Sequence, residues 1–202
     1  MIGLMMLAAA FAPAEPIHPE VWLSSNDYPK SMTGDDTQTS QRIALLISPE
    51  GKPTACELLM VENVGRFNAP ICQRLTKRGQ FKPAMENGNP TWGIWTTTVN
   101  FLIPSNADLH FINYDIIAPV NKLPGKGIPQ GVTINQLVDV HGKVEACIVP
   151  KGSAYDTLNR LACAVTNVLP MEHIVDGAGR PVRSVVKQTV LFVVDPAATK
   201  HP

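Results

Sequence analysis

The sequence predicts an α+β fold of two tandem units, each a small antiparallel β-sheet of hairpin and long closing strand with one helix packed on its face. Two observations predict it. First, a block from Arg42 to Ile103 returns without a gap from Thr133 to Val194, an offset of 91 residues (Arg42 to Thr133), and such internal repetition marks a duplicated unit. Both copies carry a turn Gly-Lys (Gly51-Lys52, Gly142-Lys143), an Ala-Cys pair (Ala55-Cys56, Ala146-Cys147) and a second cysteine (Cys72, Cys163). Both also carry a Gly-x-Pro (Gly88 to Pro90, Gly179 to Pro181) and a Thr-Val-x-Phe (Thr98 to Phe101, Thr189 to Phe192). Second, each block joins strand-like apolar runs to one stretch with helical spacing.

The elements follow in order. Met1 to Ala14 is an apolar stretch running into small residues, with Ala10-Phe11-Ala12 and Ala12-Pro13-Ala14 as candidate cleavage sites. Residues 1–14 read as a signal-like segment without a basic start, and the second site is favoured because Pro13 obstructs the first. About a dozen apolar residues fall short of the roughly 20 that span a bilayer, so no spanning membrane helix is expected. Residues 15–27 form an extended, proline-containing lead-in, and Tyr28-Pro29 turns the chain into the first unit, 28–104.

In that unit Arg42 to Ser48 is an apolar run closed by Pro49-Glu50-Gly51, and a second run reaches Val61, which is a hairpin signature. In the second unit, 118–196, Val132, Ile134, Val138 and Val140 share one parity before His141-Gly142-Lys143 turns the chain into Val144 to Val149. The helix of this unit is expected at Thr157 to Leu169, capped by Asp156, with Leu158, Leu161, Ala162, Val165 and Leu169 on one stripe. Its counterpart in the first unit carries Phe67, Ile71 and Leu75 on one face, Pro70 in the first turn and Lys77-Arg78-Gly79 at the C-terminal end. The closing strands run from Trp92 to Ile103 and from Arg183 to Val194, with Val99, Phe101 and Ile103, and Val190, Phe192 and Val194, alternating inward. Residues 105–117 are a linker in which Phe111 to Ile117 is apolar enough for a strand or for packing between the units; 197–202 are a tail.

An apolar content of 45% is globular, and 17 basic against 17 acidic side chains leave no net charge, so no nucleic-acid partner is expected. Four cysteines without a Cys-x-x-Cys suit an oxidising compartment better than zinc. The repeat pairs Cys56 with Cys72 and Cys147 with Cys163, each closing a loop of roughly 15 residues for about 3 kcal/mol. Cys163 lies away from the centre of its helix's apolar stripe and Cys72 on a flank, so the cysteines face a sheet edge or a loop, and pairing across the repeats stays open.

No enzyme chemistry is expected, and no cofactor or metal. His18, His110, His141, His173 and His201 show no metal-ligand spacing. Gly152-Ser153 lacks the flanking glycines of a nucleophile elbow, and Gly125-Lys126-Gly127 lacks the context of a phosphate loop. Asp35-Asp36 and Glu172-His173 are adjacent pairs with nothing to bring them to one substrate, and Trp92 and Trp95 read as sheet residues.

On these residues the first unit resembles the TonB C-terminal domain, the periplasmic end of the transducers that energise outer-membrane transporters. The resemblance spans about Tyr28 to Ile103: Tyr28-Pro29, Gly51, Phe81-Lys82-Pro83-Ala84, Gly88-x-Pro90 and Val99-x-Phe101. Cysteines at the hairpin strand and the helix, here Cys56 and Cys72, are familiar in alphaproteobacterial members. The second unit reads as a diverged copy: Met171-Glu172-His173-Ile174 stands near the place of Phe-x-Pro-Ala, and Ala118-Pro119 in that of Tyr-Pro.

The resemblance implies capture of an extended partner peptide by β-strand addition to the closing strand. The candidate partner-binding edges are then Trp95, Thr96, Thr97, Thr98, Val99 and Asn100 in one unit and Lys187, Gln188, Thr189, Val190 and Leu191 in the other. A transducer also needs an inner-membrane helix and a long proline-rich linker. With neither in this chain, the expectation is a periplasmic protein-binding module linked to TonB-dependent transport, its partner a protein or peptide such as an outer-membrane transporter. Inner-membrane association and a homodimer are compatible with it, and a structural envelope scaffold is the alternative.

Overall fold

Alternating β-branched and aromatic residues, punctuated by Gly-Lys and Asn-Gly turns, make this a mostly β chain with two helices. The computed structural model describes residues 10–27, 39–61, 68–101, 114–150, 152–167 and 174–195. Eleven strands lie among them. β1 (Phe11–Ala12) and β2 (Glu15–Pro16) precede the hairpin of β3 (Thr39–Ile47) and β4 (Pro53–Val61). Helix α1 (Asn68–Arg78) leads to β5 (Phe81–Lys82), β6 (Ala84–Glu86) and the long β7 (Asn89–Phe101). β8 (Ile116–Val120) opens the second half, followed by the hairpin of β9 (Gln130–Val138) and β10 (Val144–Ile148), helix α2 (Asp156–Asn167) and β11 (Ser184–Val194). Hairpin, helix and closing strand therefore occur twice in the expected order. Tyr28, Phe67, Ile103 and Phe111 lie outside the described residues.

The hairpin turns are built alike. Gly51 and Gly142 both have positive φ, and their N–H groups donate to the carbonyls of Ser48 and Asp139 three residues back. A Cβ on Gly51 would stand 2.1 Å from the Phe81 carbonyl oxygen, so this position requires glycine on two grounds. Helix α2 begins one residue before the predicted start. The Tyr155 carbonyl accepts from the Leu158 and Asn159 amides, while the Ser153 hydroxyl and the Asn159 side chain close the entrance.

Nine strands share one sheet whose main path runs β4-β3-β7-β11-β9-β10; the remaining pair, β2 with β5, stands apart. At the centre of the path the two closing strands meet in parallel, Trp92 against Ser184, Gly93 against Val185 and Ile94 against Val186. Every other pairing along it is antiparallel. The side chains show what this union does. On β9, Val132 and Ile134 pack with Leu158 and Ala162 of α2, whereas Leu137, of opposite parity, joins Ile71 and Leu75 of α1 in the other core. The two helices thus cover opposite faces of one sheet, and each face has its own core.

Residues 10–27 are bound closely to the first half, although the sequence reading divided them between a leader and a lead-in. Phe11, Ala14 and Trp22 are buried in the core beneath α1, with Trp22 meeting Phe81 and Trp95 at ring centroids of 5.0 and 5.7 Å. The difference has a physical cause. Phe11 and Trp22 supply large apolar area that an extended lead-in would leave in water.

Candidate functional site

The predicted partner-binding segments lie on β7 and β11, the two strands that meet at the centre of the sheet path, just beyond the residues through which they pair. Residues 95–100 of β7 pair antiparallel with β3, Trp95 opposite Leu45 and Asn100 opposite Ser40. Trp95 and Val99 face the core beneath α1. On the other face Thr96 and Thr98 accept hydrogen bonds from the Arg42 guanidinium at 2.8 and 3.3 Å, and the Ser40 hydroxyl donates to Asn100 Oδ1. Residues 187–191 of β11 pair with β9 along one edge, and on the other Val190 and Leu191 pair with β8. The segment expected as an edge is therefore paired with β9 throughout and with β8 at Val190 and Leu191. Apolar residues of β11 on both parities, such as the adjacent Val185 and Val186, suit a central position.

Between these strands lies a fork. Beyond Ile94 and Val186 the β7–β11 register ends, and β8 pairs with β11 from Val190 onward. Asp115 sits at the junction. Its amide donates to the Thr189 carbonyl at 2.8 Å, its carboxylate accepts from the Thr189 amide at 2.7 Å, and it takes Arg42 through Nε at 3.0 Å and Nη2 at 2.8 and 2.9 Å. Both side chains are buried, Arg42 with 9% and Asp115 with 3% of its surface exposed. A charge inside the apolar run of β3 was the sequence signal for this pair, since a buried arginine needs a partner. The partner's identity, 73 residues away, was not legible.

A second ionic group joins the halves at the other end of β11. The Arg183 guanidinium forks onto Glu86 of β6 at 2.9 Å and also binds Glu145 of β10. The Glu86 carboxylate first, and then Glu145, raise its pKa above the usual arginine range against the opposing effect of burial.

The outer strands of the path are β4 and β10, each hydrogen-bonded to one neighbour. Each carries the strand cysteine of its unit: Cys56 is bridged to Cys72 of α1, and Cys147 to Cys163 of α2, with Cα–Cα distances of 5.5 and 5.8 Å. The repeat-derived pairing therefore stands; the bridges reach the outer strands, but all four cysteines also pack against the two cores rather than facing only an edge or a loop. Both outer pairings contain register shifts, which locally increase strand twist. Leu59 on β4 and Ile148 on β10 are 42% and 41% exposed.

Among the described residues no group of three His, Cys, Asp or Glu could hold a metal, and all four cysteines are in disulfides. No helix among them is long and apolar enough to cross a membrane. The Ser153 hydroxyl is engaged by Asn159 Oδ1 and the Tyr155 carbonyl, and Gly125 to Gly127 form an exposed turn. His110, His173, His201, Asp35 and Asp36 lie outside the described residues.

Fold and edges together define a class: a mostly β, α+β protein with a helix on each face and outer strands tied by disulfides. Comparison of the chain with protein-family models, curated proteins and solved structures finds no match.

Proposed function

We propose that the protein is an exported, periplasmic protein-binding module that takes up an extended partner peptide by β-strand addition. The proposed partner is a component of TonB-dependent outer-membrane transport. The observation that carries this reading is the pair of outer strands, β4 and β10, each fixed to a helix by its own disulfide. A rigid outer strand offers main-chain N–H and C=O groups in register, and pre-ordering reduces the entropy lost when a peptide pairs with it. The disulfides also suit an oxidising compartment. Support from the resemblance to the TonB C-terminal domain rests on the first unit's motifs, with the binding edge moved outward from the closing strands.

The test is photo-crosslinking in the periplasm of the native host, with the reactive group at Leu59, Ile148, Thr98 or Thr189 in separate strains. Capture of a transporter's N-terminal segment at Leu59 or Ile148 supports the reading. Capture of transporter only from Thr98 or Thr189 overturns the choice of edge. Capture of no transporter from any position overturns the link to transport and favours a structural scaffold. One feature specifically supports that alternative: the closing strands pair with each other within the chain, at Trp92 to Ile94 and Ser184 to Val186, immediately before the segments that the resemblance assigns to partners.

A further inference from the structure

The first unit already holds an extended peptide, and it is the chain's own N-terminal segment. Residues 10–17 add strand pairing at two places, Phe11 and Ala12 against Glu86 and Met85, and Glu15 and Pro16 against Lys82 and Phe81. The second place, with Trp22 and Asp27, lies beyond the candidate cleavage site after Ala14 and stays with the chain if residues 1–14 are removed on export. Reciprocal bonds extend this pairing: the Asn87 amide donates to the Ala10 carbonyl and the Ile17 amide to the Gln80 carbonyl. Main-chain pairing of this kind tolerates many sequences, so selectivity must come from side chains.

Three anchors supply it. Ala14 lies over Gly93, where a Cβ would stand only 3.2 Å from its own. Trp22, 3% exposed, fills an aromatic pocket of Phe81 and Trp95. Asp27, five residues on, is clamped by two arginines one turn apart on α1, with Arg74 Nε at 2.7 Å from Oδ1 and Arg78 Nη1 at 2.7 Å from Oδ2. The same arginines donate to the carbonyls of Asp27 and Trp22.

The second unit has the same hairpin, helix and closing strand, yet at positions 91 residues on it has Val186 for Trp95, Val165 for Arg74 and Leu169 for Arg78. The aromatic pocket and the arginine clamp are therefore additions to the unit rather than requirements of its elements.

We infer that this groove, formed by β5, β6, the Trp95 end of β7 and the arginine face of α1, is a receptor site for an extended partner peptide. That peptide carries an aromatic side chain followed five residues later by a carboxylate. The N-terminal segment is its resident competitor. Tethering gives such a segment an effective concentration on the order of millimolar, so a partner enters only when the segment's hold is weak or its own is stronger. The site uses residues distinct from β4 and β10, so it stands or falls separately from the outer-edge reading.

The experiment uses the full chain and a fluorescent peptide with the sequence of residues 10–27. Anisotropy titrations compare the wild-type chain with Trp22→Ala/Asp27→Asn, which weakens the resident segment and leaves the groove intact. Binding to the double variant should be at least about tenfold tighter than to wild type, the gain expected when a tethered competitor loses its anchors. It should fall by a similar factor when the peptide itself carries Trp22→Ala and Asp27→Asn, or when the double variant also carries Arg74→Gln and Arg78→Gln. Equal affinity for wild type and variant, or no binding to either, overturns the inference. Loss of cooperative unfolding both in the double variant and in Asp27→Asn alone also overturns it, because the segment is then part of the core and cannot be displaced.

Discussion

The fork between the closing strands makes a quantitative demand on Arg42. Replacing it with methionine keeps much of the side-chain volume but removes the guanidinium from a carboxylate that is 3% exposed. Of the bonds described above, the Asp115 carboxylate then keeps the one from the Thr189 amide. Removing one partner of a buried ion pair destabilises by about 3 to 5 kcal/mol, because the remaining charge is desolvated without compensation. For a chain of this length that corresponds to a fall in Tm of roughly 6 to 20 °C.

Asp115→Asn keeps an acceptor for Thr189 but leaves the Arg42 guanidinium, 9% exposed, without its counter-charge. It should cost a similar amount, nearer about 3 kcal/mol because the Asn oxygen and the Thr96 and Thr98 hydroxyls still accept from the guanidinium. The double variant Arg42→Met/Asp115→Leu should be less destabilised than Arg42→Met alone, since no charge stays buried, although the Thr189 amide loses its acceptor. Chemical denaturation without reductant gives the three energies, and hydrogen exchange at the Thr189 amide reports the fork itself. If Arg42→Met costs under about 1 kcal/mol and leaves Thr189 protection unchanged, the ion pair does not hold β8 and β11 together.

Other consequences can be measured on the same protein. Replacing Cys56 and Cys72 together by serine should destabilise by about 3 kcal/mol, and Cys147 with Cys163 by a similar amount, because both bridges close loops of equal sequence separation, 16; denaturant midpoints read this directly. Gly51→Ala meets both a positive φ and the Phe81 carbonyl, whereas Gly88→Ala meets a positive φ with open space around it. The first should therefore cost more than the roughly 1 kcal/mol expected of the second in thermal unfolding.

Acid should loosen the N-terminal segment. The Arg78 guanidinium, aided by the Ser24 amide, holds Asp27 at a pKa of about 2, below its ordinary 3.8. Its contribution is thus complete above about pH 4 and lost as pH falls through 2. Wild-type stability should drop more steeply over that window than that of Asp27→Asn, and parallel curves would contradict the clamp.

Much of the fold was legible in the sequence because each unit's signals are local. The hairpins follow from alternating runs around Gly51 and Gly142, and α2 from the stripe Leu158, Ala162 and Val165. The disulfide pairing followed from the repeat. The union of the units was not legible, since parallel pairing depends on residues 92 positions apart, Trp92 and Ser184, with no turn chemistry between them. A hint existed in the consecutive Val185 and Val186, both buried, which break the alternation of a strand with one solvated face. The pairing of the candidate segments with β3, β9 and β8 was hidden for the same reason. Thr96 and Thr98 resemble a solvated face until Arg42 is seen to reach across to them.

Two parallel closing strands flanked symmetrically by β3 and β9 relate the units by a rotation about the strand direction, which is why α1 and α2 lie on opposite faces. This arrangement gives each copy its own core. Among the described residues the groove beside α1 has no counterpart beneath α2, and side chains there can change without disturbing the second core. The copies differ accordingly: Phe81, whose ring meets Trp22, corresponds to Glu172, and the arginines that clamp Asp27 correspond to apolar residues. In the first copy α1 therefore has two tasks, holding β4 through Cys72 and holding the N-terminal segment through Arg74 and Arg78. Because one helix carries the disulfide to an outer strand and the clamp on the segment, release of the segment bears on an anchor of β4. A peptide that displaces residues 10–27 would thus act on the same rigid body that presents the outer edge.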